Sequence, residues 1–158
     1  MKLNAGLSFT LALLAGLAAS AAPPDAGAQT TFSTATVNVS GTVSGQPESV
    51  AFSGRVTIAS RVVASERVAN EAAAVMLDID LSGLSGVGLS TRTKYVTSAR
   101  ELPLRRLTTT DLVEISFPFH PAGSDPLVTS RTGVAMFSLL YDVNTGVLTA
   151  ASANLSGP

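Results

Sequence analysis

The chain has 158 residues, 46% of them hydrophobic and 13% charged, with 10 Lys and Arg against 11 Asp and Glu. The length points to one domain, and the low charge content with apolar residues in short alternating runs excludes a disordered charged tail and a multi-pass helical membrane protein. The absence of cysteine removes disulfides, thiolate zinc sites and cysteine nucleophiles, and a single histidine removes an all-His metal centre within one chain.

Lys2 is the only charge ahead of the apolar stretch Leu7 to Leu17, which runs into the small-residue string AASAA. A positive start, a short apolar centre and a small-residue exit describe a secretory signal peptide, and the centre falls well short of the roughly 20 residues of a spanning helix. Cleavage after Ala21 or after Ala28 satisfies the small-x-small rule. The expected division is residues 1–28 as signal peptide and leader and residues 29–158 as one β-domain, exported to the periplasm or the extracellular space with no transmembrane segment after processing.

Val37, Val39, Gly41 and Val43 alternate with Thr36, Asn38, Ser40 and Thr42, which predicts a half-buried strand. After the turn SGQPES, the even positions Val50, Phe52, Val56, Ile58 and Val62 predict a second strand in the opposite phase, with Gly54 marking a bulge or sharp bend. Residues 65–72 have the only helix-favouring composition, enough for one turn or a loop. Val75, Leu77, Ile79 and Leu81, then Val87, Leu89, Thr91, Thr93 and Tyr95, share one phase on either side of a turn. A hairpin looped at Ser85-Gly86-Val87 keeps both sets on one face and pairs Asp78 with Lys94 and Asp80 with Arg92, two cross-strand ion pairs. Pro103 suits a sheet edge or a strand start. Val113, Ile115, Phe117 and Phe119 alternate with Glu114, Ser116 and Pro118, and Val134 to Tyr141 is strongly apolar. Asn144-Thr145-Gly146 fits a three-residue hairpin loop with glycine left-handed, pairing Val143 with Val147.

Seven to eight strands, mostly hairpin-connected and without an amphipathic helix, predict an all-β fold: an antiparallel β-sandwich or a small barrel. The serine-hydrolase elbow and the phosphate loop are both absent. His120 could pair with Asp111, Glu114 or Asp125 as acid and base, but a lone histidine at a strand end reads first as a loop anchor. Asp78-x-Asp80 places two carboxylates about 7 Å apart on one strand face. The calcium-loop spacing is missing and the paired cations neutralise both groups, so no metal is assigned. Residues 92–106 hold Arg92, Lys94, Arg100, Arg105 and Arg106, half of the basic residues, against Glu101 alone. Arg100, Arg105 and Arg106 are the candidate site for an anionic surface or an acidic partner, against the alternative of plain solvating charge. With no Trp, and with Tyr95 and Tyr141 on inward positions, the stacking platform of a sugar-binding sheet is missing. Two aromatic girdles of an outer-membrane barrel are missing as well.

In composition and strand rhythm the Val-, Thr- and Ser-rich, cysteine-free pattern resembles small bacterial envelope and surface proteins, fimbrial subunits among them. The resemblance implies a sandwich, and Thr34 to Val43 imitates the arm such subunits donate to a neighbour, although the disulfide many of them carry is absent. The expected function is a non-catalytic exported β-domain, not an enzyme, without cofactor or nucleic acid, that meets an unidentified envelope component or protein partner. The alternative is a fimbrial-like assembly subunit that self-assembles through a donated N-terminal strand, with a hydrolase using His120 third.

Overall fold

A computed structural model describes residues 31–63 and 73–156. The signal peptide, its cleavage sites and the helical turn expected at 65–72 lie outside the described residues. Among the described residues ten strands form one antiparallel sheet: β1 (Phe32–Val43), β2 (Val50–Val63), β3 (Ala74–Asp80), β4 (Leu84–Gly88), β5 (Lys94–Val96), β6 (Arg100–Glu101), β7 (Leu104–Arg106), β8 (Thr110–Pro121), β9 (Arg131–Asp142) and β10 (Val147–Ser156). One turn of helix, α1 (Pro126–Thr129), is capped by the Asp125 carboxylate, which accepts the Leu127 N–H. Among the described residues no helix is long and apolar enough to cross a membrane.

The main path of the sheet runs β10-β9-β8-β5-β4-β2-β3-β6, with β1 on β2 and β7 on β3, and its two ends do not pair with each other among the described residues. β1 runs beside β2 in a single unbroken register from Phe32 opposite Arg61 to Val43 opposite Val50. On its other side β2 carries β4 along its first part and β3 along its second. Gly54 marks the crossing. A Cβ there would collide with the Gly83 carbonyl oxygen in the turn that leads from β3 to β4, so backbone approaches backbone where only glycine leaves room.

The alternation expected for β1, β2 and β8 is the alternation observed. Val37, Val39 and Val43, then Val50, Phe52, Val56 and Ile58, then Val113, Ile115, Phe117 and Phe119 are all buried. Their phase places the oily side chains on one face of each strand, and the sheet folds so that these faces meet. Phe52 stands edge-on to Phe119 at 4.9 Å and to Phe117 at 5.8 Å, and Phe119 is edge-on to Tyr95 at 5.8 Å. Such arrangements set the positive edge of one ring on the negative face of the next. At the other end small residues replace rings: a Cβ on Gly41 would come within 2.8 Å of the Leu155 Cβ, so β10 lies close beneath β1.

Three expectations are corrected. The hairpin looped at Ser85-Gly86-Val87 does not form. The chain turns earlier, with the Leu84 N–H bonded to the Leu81 carbonyl, and β3 and β4 then lie end to end along β2 rather than against each other. Lys94 is opposite Val87 on β4, and Asp78 is opposite Ala59 on β2, so the pairs Asp78–Lys94 and Asp80–Arg92 are replaced by other partners. The physical cause is that Leu84, Gly86 and Gly88 point inward, and two of those three have no side chain to show it. The final hairpin is also shifted. Gly146 is left-handed as expected, but the loop holds four residues and pairs Val147 with Asp142. An irregularity between Leu148 and Ala150 then restores the anticipated register, with Ala150 opposite Leu140. Last, ten strands replace seven to eight, because Pro103 divides one expected edge segment into β6 and β7, and β5 pairs forward with β8, so the path is not a simple meander.

Candidate functional site

Of the three arginines singled out in the sequence, Arg100 and Arg105 are committed to carboxylates. Arg100, on β6, grips Asp78 through Nε (2.7 Å) and Nη2, and its hydrogen bonds hold the Asp78 carboxyl below the usual range. Arg105, on β7, donates from Nε and Nη2 to the two oxygens of Asp111 at 2.9 and 2.7 Å and from Nη2 to the Leu112 carbonyl. Both pairs are two-pronged, the geometry that matches guanidinium to carboxylate. The Asp80 carboxyl, held low by the Ser82 hydroxyl and amide, accepts the Ser82 N–H at 2.9 Å. Arg92 has a left-handed backbone in the turn after β4, and Lys94 is exposed on β5. Arg106 remains exposed and without a carboxylate partner among the described residues.

His120 is half-buried near the end of β8, opposite Val96. Asp111 and Glu114 share that extended strand, and at about 3.3 Å per residue they lie roughly 30 and 20 Å away. Asp125 is occupied as the cap of α1.

The most heavily bonded carboxylate was not anticipated. Glu48, in the turn before β2, is buried and accepts the Ser90 and Thr91 N–H groups at 2.9 Å each, the Thr91 hydroxyl at 2.6 Å and the Tyr95 hydroxyl at 3.1 Å. The Thr91 hydroxyl and amide are the main cause of a carboxyl pKa pulled down to about 2, since every bond favours the charged form. Arg131 donates to the Glu48 carbonyl at 2.8 Å and stands 5.0 Å over the Phe119 ring. The site thus pins the turn between β4 and β5 to the start of β2 and to the aromatic core. A shallow cavity of about 360 Å³ opens beside it, between Pro47, Tyr95 and the segment around α1. A carboxylate with four donors and so low a pKa is a poor general base, and its chemistry is that of an anchor. The sequence signal was faint: one Glu after Pro47, with its donors more than forty residues downstream. Gly88 completes the fit, because a Cβ there would run into the Glu48 carboxylate. Gly88→Ala is therefore expected to destabilise the protein by about 1–3 kcal/mol, read as a lower urea midpoint with unchanged slope.

A second feature lies on the outer face at the β1 end. The registers place Phe32, Arg61, Met76 and Leu104 in one row across β1, β2, β3 and β7. Phe32 is 65% exposed, Leu104 61% and neighbouring Leu102 62%. Between Phe32, Met76 and Leu102 runs a groove of about 230 Å³. Arg61 interrupts the row, with its guanidinium on the Met76 sulfur at 3.5 Å, and Arg106 flanks it on the same face. Three large exposed apolar side chains with two cations beside them form a patch that one face of a soluble monomer seldom concentrates. Of the expected basic residues it gathers Arg106 and leaves Arg105 in its ion pair. The chain matches no protein-family model, no curated protein sequence and no solved structure.

Proposed function

We propose that this chain is an exported, non-catalytic β-domain of the cell envelope or extracellular space, and that it packs against an anionic amphiphile of the envelope through the Phe32–Leu104 row. The folded sheet is read as a β-sandwich whose outer face carries the patch. The observation that supports this reading is the placement of exposed Phe32, Leu102 and Leu104 beside Arg61 and Arg106, with the neighbouring Asp78 already taken by Arg100. Apolar side chains enter an acyl layer while guanidinium groups meet phosphate, and each arginine near an anionic surface contributes about 1 kcal/mol, or roughly fivefold in binding. The non-catalytic part draws support from Glu48, Asp78 and Asp111, each already bonded to donors of its own chain.

Donation of the N-terminal strand would require β1 to leave β2, and its unbroken register favours the domain reading over that alternative. Co-sedimentation of the mature protein with vesicles tests the proposal. Retention is expected on phosphatidylglycerol-containing vesicles, falling with added salt, and weak on phosphatidylcholine alone. Leu104→Ser with Arg106→Ser should reduce retention by about fivefold or more. Equal retention on both vesicle types, or on wild type and variant, would refute it.

A further inference from the structure

The edges of this sheet are treated unequally. At one end β6 and β7 are two and three residues long and carry Arg100, Glu101, Arg105 and Arg106, with Pro103 between them. Shortness, charge and proline are the devices that stop an edge from recruiting another strand. The edge of β10 is turned toward the inner side of β1, where the Ser33 hydroxyl accepts the Leu148 N–H and Leu155 lies against Gly41. β1 has none of these protections. It runs for 12 residues, FSTATVNVSGTV, without a charge, a proline or a register irregularity, and pairs with β2 alone among the described residues.

The direction of its free groups follows from the hydrogen bonds. The Val62 N–H bonds to the Thr31 carbonyl, which makes the odd residues of β1 the ones bonded to β2. The even residues Phe32, Thr34, Thr36, Asn38, Ser40 and Thr42 therefore direct their N–H and C=O groups to the open edge, and their side chains are exposed.

We infer that β1 is a homotypic interface: a second copy of this chain adds its own β1 antiparallel across a two-fold axis, continuing the sheet through both molecules. A second copy fits better than a foreign peptide because the outward side chains from Thr34 to Thr42 are small and polar and offer an anchor little to grip, whereas Thr, Ser and Asn opposite one another form favourable cross-strand pairs. One symmetric register satisfies every free group. With the axis at Val37, Phe32 faces Thr42, Thr34 faces Ser40 and Thr36 faces Asn38 of the second copy. Every residue directed to the edge then sits in a hydrogen-bonded pair. The interface and the amphiphile-binding patch share Phe32, whose backbone lies at the edge of β1 and whose side chain stands in the outer-face row, but the edge positions Thr36 and Asn38 lie outside that row.

Sedimentation equilibrium of the mature protein from about 1 to about 100 µM, the span over which a micromolar dimer forms, should show a monomer passing to twice its mass. Thr36→Lys with Asn38→Lys sets like charges opposite each other at the axis and should weaken association by about tenfold. Thr36→Lys with Asn38→Glu sets opposite charges there and should restore it. Both substituted positions are solvent-facing, and thermal melts matching wild type show that the variants fold. A wild-type protein that stays monomeric throughout, a dimer indifferent to the Lys pair, or a Lys–Glu variant as monomeric as the Lys pair would each overturn the inference.

Discussion

Phe119→Ala is expected to lower the unfolding free energy by about 3–5 kcal/mol, the range for removing a buried ring whose surroundings collapse only in part. Phe119 has no exposed surface and touches three rings, Phe52, Phe117 and Tyr95, while Arg131 lies over its face. Its loss opens a void between the strands that carry those rings. It also removes the surface that steadies Arg131, which holds the Glu48 carbonyl. Urea unfolding should show the midpoint falling with the slope unchanged, because the surface exposed on unfolding stays nearly constant. Phe32→Ala serves as the contrast. With 65% of Phe32 exposed, the change should stay within about 0.5 kcal/mol. Equal losses at the two positions would show that the aromatic cluster is not the core.

What alternation could reveal, it revealed: the inward rows of β1, β2 and β8 were legible because each strand repeats oily and polar residues without interruption. The error at β4 has a single origin. Gly86 and Gly88 point inward but show no hydropathy, so the apolar pattern puts Val87 and Leu89, which are exposed, in the buried row. That choice shifted the turn, and with it the partners of Asp78 and Asp80. Of the partners found, Ser82 sits two residues beyond Asp80 in the turn after β3 and bonds it locally, whereas Arg100 follows from β3 lying between β2 and β6, a non-local arrangement that no local pattern encodes. Glu48 was illegible for the same reason, since a carboxylate in a turn becomes an anchor only when a distant turn brings its N–H groups to it. The apolar row was missed because its members stand one to a strand. Phe32 precedes the clear alternation of β1, and Leu102 and Leu104 flank Pro103, so only the sheet register assembles them.

Glu48→Gln should lower stability at neutral pH and remove much of the protein's sensitivity to moderate acid. The carboxyl titrates at about 2 in the folded protein against an ordinary 4.5. The folded state therefore binds its proton less readily than the unfolded chain. The resulting stabilisation is present in full above about pH 4.5 and is lost progressively as the pH falls from there toward about 2. Glutamine keeps the size of the side chain, and its carbonyl can take the place of Oε2 under the Ser90 and Thr91 N–H groups, but its NH₂ then meets the Thr91 and Tyr95 hydroxyls, which must turn from donating to accepting. The loss is that of the charge, which strengthens each of the four hydrogen bonds, together with the turning of the two hydroxyls. The melting temperature of the variant should fall by several degrees at pH 7. Between pH 4.5 and 2 the gap to wild type should close, because protonation deprives the wild-type side chain of the same charge. A gap that stays constant down to pH 2 would mean that the depressed carboxyl is not what joins the turn after β4 to the start of β2.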